Sequence, residues 1–169
     1  MLTEKLEFAQ IGIVHRKATD DEVRNDPIDL ESEVEIFPQY KDGLHGLEGF
    51  SHVFVLAYFN RLRPEQIGLL KVRPKRLVKY GLKLEDIPEV GVFTLDSPTR
   101  PNPIGLSLAR LLRVEDGRRL IVADLEYFDG TPVLDIKPYQ AGYRAPEYKI
   151  PHWNSELARK AGLSPTESV

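Results

Sequence analysis

An Asp-Gly pair, Asp116-Gly117, sits between two runs rich in branched apolar residues, Ser107–Val114 and Leu120–Tyr127. Asp-Gly readily supplies the positive-φ positions of a tight turn, so this stretch is constrained to fold back on itself as an antiparallel hairpin. A second pair, Asp129-Gly130, turns the chain into Val133–Ile136. The same pattern extends upstream. Phe8–Val14, Glu33–Phe37 and Gly91–Leu95 read as strands, and Pro38 ends the second. His52–Phe59 is apolar along its whole length, which predicts a strand covered on both faces. The tally is about seven strands with hairpin connections, which suggests an antiparallel barrel or sandwich. Helices are few. Pro64–Leu70 can form a turn or two, with Pro64 in the first helical position. A short C-terminal helix is expected from a cap at Asn154 or Ser155 through Ala161, with Gly162 as its stop. The tail 164–169 is expected to be loose.

Composition narrows the function classes. A length of 169 residues points to one domain with a core of useful size. The longest uncharged apolar run, Val53 to Phe59, is far short of the ~20 residues of a spanning helix, and no membrane partner is expected. The start, MLTEKLEFAQ, lacks the pattern of a signal peptide. The chain has no cysteine, which removes disulfides, thiolate zinc sites and a cysteine nucleophile and suggests a cytoplasmic home. Four histidines, His15, His45, His52 and His152, are scattered without metal-ligand spacing, so no metal is expected.

The net charge of −3 hides an asymmetry. Residues 1–50 carry 12 acids and 5 bases, whereas residues 51–100 carry 5 acids and 9 bases. Between Arg61 and Lys83 there are eight bases and one acid, Glu65. Such a segment is either a phosphate footprint or a solvated surface that balances the acidic third.

Two motifs stand out. Ser97-Pro98-Thr99-Arg100-Pro101-Asn102-Pro103-Ile104-Gly105 forms a stiff loop, because each proline fixes its own φ and restricts the residue before it. Stiffness holds Arg100 and Asn102 in place for binding, or simply braces a strand connection. In Asp129–Tyr139, Asp135 is the one acid among Val133, Leu134 and Ile136. Alternation predicts Asp135 on the face of Val133, opposite Leu134 and Ile136, either facing a ligand or paired with Lys137 or an arginine. The glycines of Gly43–His52 match neither the dinucleotide fingerprint nor the phosphate-binding loop.

Three blocks, Glu35–Phe59, Gly91–Ser107 and Asp129–Tyr139, together with Gln10–Val14, resemble the TrmO/TsaA-like (YaeB-like) family over residues 8–140. The resemblance implies a mainly β fold, a small antiparallel barrel unrelated to the Rossmann methyltransferases. It implies a barrel domain over residues 1–140 and a short extension, 141–169, with one helix. It also implies S-adenosylmethionine as cofactor, homodimerisation, and methylation of the exocyclic nitrogen of N6-threonylcarbamoyladenosine beside the tRNA anticodon.

By position, the family's cofactor pocket falls on Phe59, Asn60, Arg100, Pro101, Asn102, Leu106, Asp124, Leu125, Glu126, Tyr127 and Asp129, with Thr131, Asp135 and Lys137 of the same motif as Asp129. Asp135 and Asp124 are the candidate catalytic proton acceptors. Arg100 is expected to meet the cofactor's carboxylate or to pair with Asp135. Arg73, Lys75, Arg76, Lys79 and Lys137 are the candidate substrate contacts, with Tyr80 able to stack on a base. The chain departs from the family in three places. The usual Pro-Arg-Gln segment reads Asp20–Asp29 here, with Arg24 as the stand-in, Asn60 replaces a histidine, and Asp96 replaces an arginine. About thirty residues follow Tyr139, where bacterial members carry a further domain. Two other readings stay open: the same chemistry on another acceptor, and a non-catalytic module that binds S-adenosylmethionine.

Overall fold

The computed structural model describes residues 6–25 and 29–163. The tail 164–169 and residues 26–28, part of the departing Asp20–Asp29 segment, lie outside them. In chain order the elements are β1 (Gly12–His15), α1 (Asp20–Asn25), β2 (Ser32–Ile36), β3 (His52–Tyr58), β4 (Lys71–Val72), β5 (Val90–Gly91), β6 (Ile104–Glu115), β7 (Arg119–Ala123), β8 (Pro132–Pro138) and α2 (His152–Lys160). They fall into two compact units, Met1–Arg61 with Ile104–Tyr143, and Leu62–Pro103 with Arg144–Val169.

The first unit is a closed barrel with strand order β1-β2-β7-β6-β3-β8. Every neighbouring pair is antiparallel. Closure removes the free edges that an open sheet would expose. Strand alternation fills the interior: Val53, Val55 and Ala57 of β3 face inward with Ala109 and Leu111 of β6, and with Val34, Ile36, Leu120, Val122 and Val133. The Asp116-Gly117 turn forms as its sequence requires, with φ of 49° and 65°, and joins β6 to β7. The barrel thus has six strands, with β4 and β5 forming a separate pair in the second unit.

Several expectations are corrected. The outer side of β3 is not fully covered: Tyr58 is 40% exposed, and Phe54 is only half-buried beneath the rings of Tyr139 and Tyr143. Gly91–Leu95 is a strand only at its start, because Val92–Thr94 coils into a 3-10 turn braced by the Thr94 hydroxyl donating to the Gly91 carbonyl. β1 begins at Gly12, and Phe8 is exposed. β7 ends at Ala123, because Asp124 takes a left-handed φ of 65°. Asp135 does not share a face with Val133. A bulge shifts the register between Leu56 and Ala57, so that Asp135 pairs with outward Leu56 and Val133 with inward Ala57. Leu134 is the extra residue, and Asp135 lies on the outer wall.

The second unit packs Leu77, Ile87 and Leu157 together, with Leu82 and Trp153 against them. Its β4–β5 pair aligns Lys71 with Gly91 and Val72 with Val90. The expected helix at Pro64–Leu70 is a 3-10 turn, Pro64–Gln66, and a second 3-10 helix spans Lys75–Tyr80. α2 starts at His152 after Pro151 without a side-chain cap, so neither Asn154 nor Ser155 caps it. Gly162 follows with φ 70°, as its stop position requires.

Candidate functional site

One end of the barrel collects eight of the eleven residues that the resemblance assigns to the cofactor pocket. There β1, β3 and β7 end while β2, β6 and β8 begin. Phe59 and Asn60 leave β3, the segment 124–129 leaves β7, and Leu106 stands near the start of β6.

Buried contacts hold this end in shape. The Tyr127 hydroxyl donates to the Val55 carbonyl at 2.8 Å, and its ring meets Phe59 edge-on at 5.8 Å. Burial raises the Tyr127 pKa, so the phenol stays a donor rather than a base. Gly105 lets these rings approach: a Cβ there would lie 2.6 Å from Phe59 Cζ and 2.9 Å from Tyr127 Oη. Asn60 Nδ2 donates to the Gly130 carbonyl at 3.3 Å. Arg61 bonds to Asp20 and to the Asp129 carbonyl, and the guanidinium groups of Arg61 and Arg24 both lie over the Phe128 ring. α1, absent from the sequence expectations, is thereby tied to the second Asp-Gly turn. Leu125 is buried, whereas Glu126, Asp129 and Leu106 are exposed at this end.

The two candidate proton acceptors are both engaged. Asp124 accepts from the Asp29 backbone N–H at 2.9 Å and from Arg110 Nε at 3.1 Å. The Asp29 bond, then Arg110, hold its pKa below the ordinary value, which makes it a weaker base. Asp135, on the outer wall, pairs with Lys137 at 2.7 Å and accepts from the Ile136 backbone N–H at 2.9 Å. Lys137 is accordingly held in the charged form by Asp135.

In the second unit, Arg100 braces its own loop, donating to the Leu95 carbonyl and lying over the Phe93 ring at 5.8 Å. Its backbone carbonyl accepts from the Gly68 N–H, while Pro101 and Asn102 are exposed. Arg73, a candidate substrate contact, is exposed and donates to the Ile87 carbonyl. Lys75, Arg76, Lys79 and Tyr80 are exposed on the 3-10 helix that Leu77 anchors.

Sequence reasoning missed Arg16. It follows β1 and is 9% exposed. Its Nε donates to Ser32 Oγ at 2.7 Å, its Nη2 to the Leu125 carbonyl at 2.6 Å, and its backbone N–H to Asp129 Oδ1 at 2.9 Å. Nothing in the run His15-Arg16-Lys17 marks one base as interior. Only barrel closure, which sets the end of β1 beside the start of β2, places it there.

Comparison with known proteins agrees with this architecture. The family profile described as tRNA-methyltransferase O N-terminal domain matches residues 24–144. A probable S-adenosyl-L-methionine-binding protein of Pyrococcus abyssi is 36% identical over 149 residues, covering 85% of this chain and 70% of that protein. A tRNA (adenine(37)-N6)-methyltransferase of Rattus norvegicus is 42% identical over 129 residues, covering 76% of this chain but 28% of the rat protein. A crystal structure of TrmO superposes with a TM-score of 0.65 at 31% identity, over 86% of this chain and 64% of that one. The length of chain shared with these proteins therefore ranges from about a quarter to about two thirds of their own. The profile matches well over half of the chain and the archaeal relative covers most of it, so the chain belongs to the tRNA-methyltransferase O N-terminal domain family, the TrmO/TsaA-like family.

Proposed function

We propose that this chain is an S-adenosylmethionine-dependent tRNA methyltransferase acting on the exocyclic nitrogen of a modified adenine, N6-threonylcarbamoyladenosine. The observation that carries the reading is the barrel end. Its loop 124–129 carries exposed Glu126 and Asp129 and is bonded to a buried arginine, Arg16, whose Nη1 has no hydrogen-bond partner among the described residues. Acids suit the amino group and ribose of the cofactor, and the field of a buried cation suits its carboxylate, so the residues present fit the group. Asn60, Leu106, Leu125 and Tyr127 complete the barrel's share.

The bound cofactor would supply an activated methyl group on a sulfonium. The protein's task is then to orient and exclude water, with little acid–base work. The Phe59–Tyr127 pair and Gly105 keep the floor of this end dry and rigid. Asp124, held as a charged anchor for Arg110 and the Asp29 backbone, fixes the start of the 124–129 segment. Lys75, Arg76, Lys79 and Tyr80 provide exposed cations and a ring suited to tRNA phosphates and bases. A homodimer, also implied by the family resemblance, would cover outward Leu106 and Leu108, which are 66% and 42% exposed.

The test is transfer of labelled methyl from S-adenosylmethionine to tRNA from a strain lacking this methylation, followed by nucleoside analysis. The expected result is label in methylated N6-threonylcarbamoyladenosine. Cofactor binding without label in any nucleoside would overturn the enzymatic reading and leave a binding module.

A further inference from the structure

Arg16 is the one charged residue among the described residues that is buried. Arg110, Arg118 and Arg119 are more exposed, and each still reaches a carboxylate. Among the described residues Arg16 reaches none: its guanidinium bonds to the Ser32 hydroxyl and the Leu125 carbonyl, and Nη1 has no hydrogen-bond partner. Asp129, the closest acid by hydrogen bonding, accepts from the Arg16 backbone N–H instead. An uncompensated charge removed from water is costly, and a fold keeps one where an opposite charge arrives from outside. Burial lowers the Arg16 pKa, yet a guanidinium remains cationic throughout the physiological range.

The surrounding loop adds the other half of the pattern. Glu126 follows Leu125, whose carbonyl accepts from Arg16, and Asp129 accepts from the Arg16 backbone N–H; both acids are exposed. A buried cation with two open carboxylates in one short loop is the electrostatic complement of a zwitterion. We infer that Arg16 is the anion anchor of this site, set to hold the carboxylate of an α-amino-acid group whose ammonium meets Asp129 or Glu126. On the cofactor reading, on which this rests, that group is the methionyl end of S-adenosylmethionine. The threonylcarbamoyl group of the acceptor also carries a carboxylate, but its nitrogen is acylated and uncharged, so the zwitterion singles out the cofactor. Nη1 is closed off from solvent, so Arg16 acts through its field, which reaches further in low-dielectric surroundings than in water.

The experiment measures binding of two sulfoniums by calorimetry: S-adenosylmethionine and its decarboxylated form. Wild-type protein is expected to prefer the carboxylate form by about tenfold or more, the scale of a desolvated charge contact. Arg16→Gln is expected to collapse that preference towards unity, and Arg16→Lys to retain most of it. A wild-type protein that bound both forms equally would overturn the inference even if neither variant folded. So would an Arg16→Gln variant that kept the full preference, with the cofactor reading left standing. A wild-type protein that bound neither form would remove the cofactor reading itself, and the inference with it.

Discussion

At the barrel end, one guanidinium is nine-tenths buried and meets no carboxylate among the described residues. In the second unit, Lys75 and Arg76 stand in solvent on a 3-10 turn whose only buried side chain is Leu77. The two regions use positive charge differently. A buried charge in a fixed geometry discriminates between small ligands, because the water that would screen it is gone. Exposed charges attract a polyanion weakly and additively, and salt erases the attraction. A single net charge of −3 describes neither region.

Four changes sharpen or break this contrast. Gly105→Val should have the largest effect, because its Cβ collides with Phe59 and Tyr127. A loss of about 1–3 kcal/mol in stability by denaturant titration is expected, together with loss of cofactor binding. Unchanged binding would mean that the ring pair does not shape the site. The double change Lys75→Ala with Arg76→Ala should leave cofactor binding intact. It should also weaken tRNA binding and reduce the slope of log affinity against log salt by about two. An unchanged slope would make these bases ordinary surface.

Asp124→Asn tests a charge that is paired rather than orphaned. Its folded-state pKa is depressed, so its stabilisation is present above the ordinary value of 3.8 and lost as pH falls through the depressed value. Wild type should therefore be the more stable at neutral pH, with the gap closing in acid melts. A gap independent of pH would show that the carboxylate charge is not what matters. The smallest effect is expected for Tyr80→Ala, a few-fold loss in tRNA affinity that Tyr80→Phe restores, since stacking needs the ring and not the hydroxyl.

The hairpin of β6 and β7 was legible in the sequence because Asp116-Gly117 dictates its own backbone. The alternation of β2 is written in Ser32–Ile36, but uniformly apolar β3 carries no such period, and which of its side chains face inward is set by the barrel. Asp135 was not legible either. Its facing depends on a one-residue bulge against β3, which no local pattern in Pro132–Pro138 announces. The family resemblance located the loop 124–129 but not its geometry, since the left-handed φ at Asp124 follows from long-range bonds to Asp29 and Arg110. Arg16 stayed hidden because burial of a charge is a property of closure, not of neighbours in sequence.

The most direct check on the barrel end as the cofactor site is a nuclear magnetic resonance titration of the whole chain with S-adenosylmethionine. The account predicts amide shifts gathered at Arg16, Asn60, Leu106 and the segment 125–130. Shifts confined to α2 or to the far ends of β3 and β6, or no shifts with millimolar ligand, would contradict it.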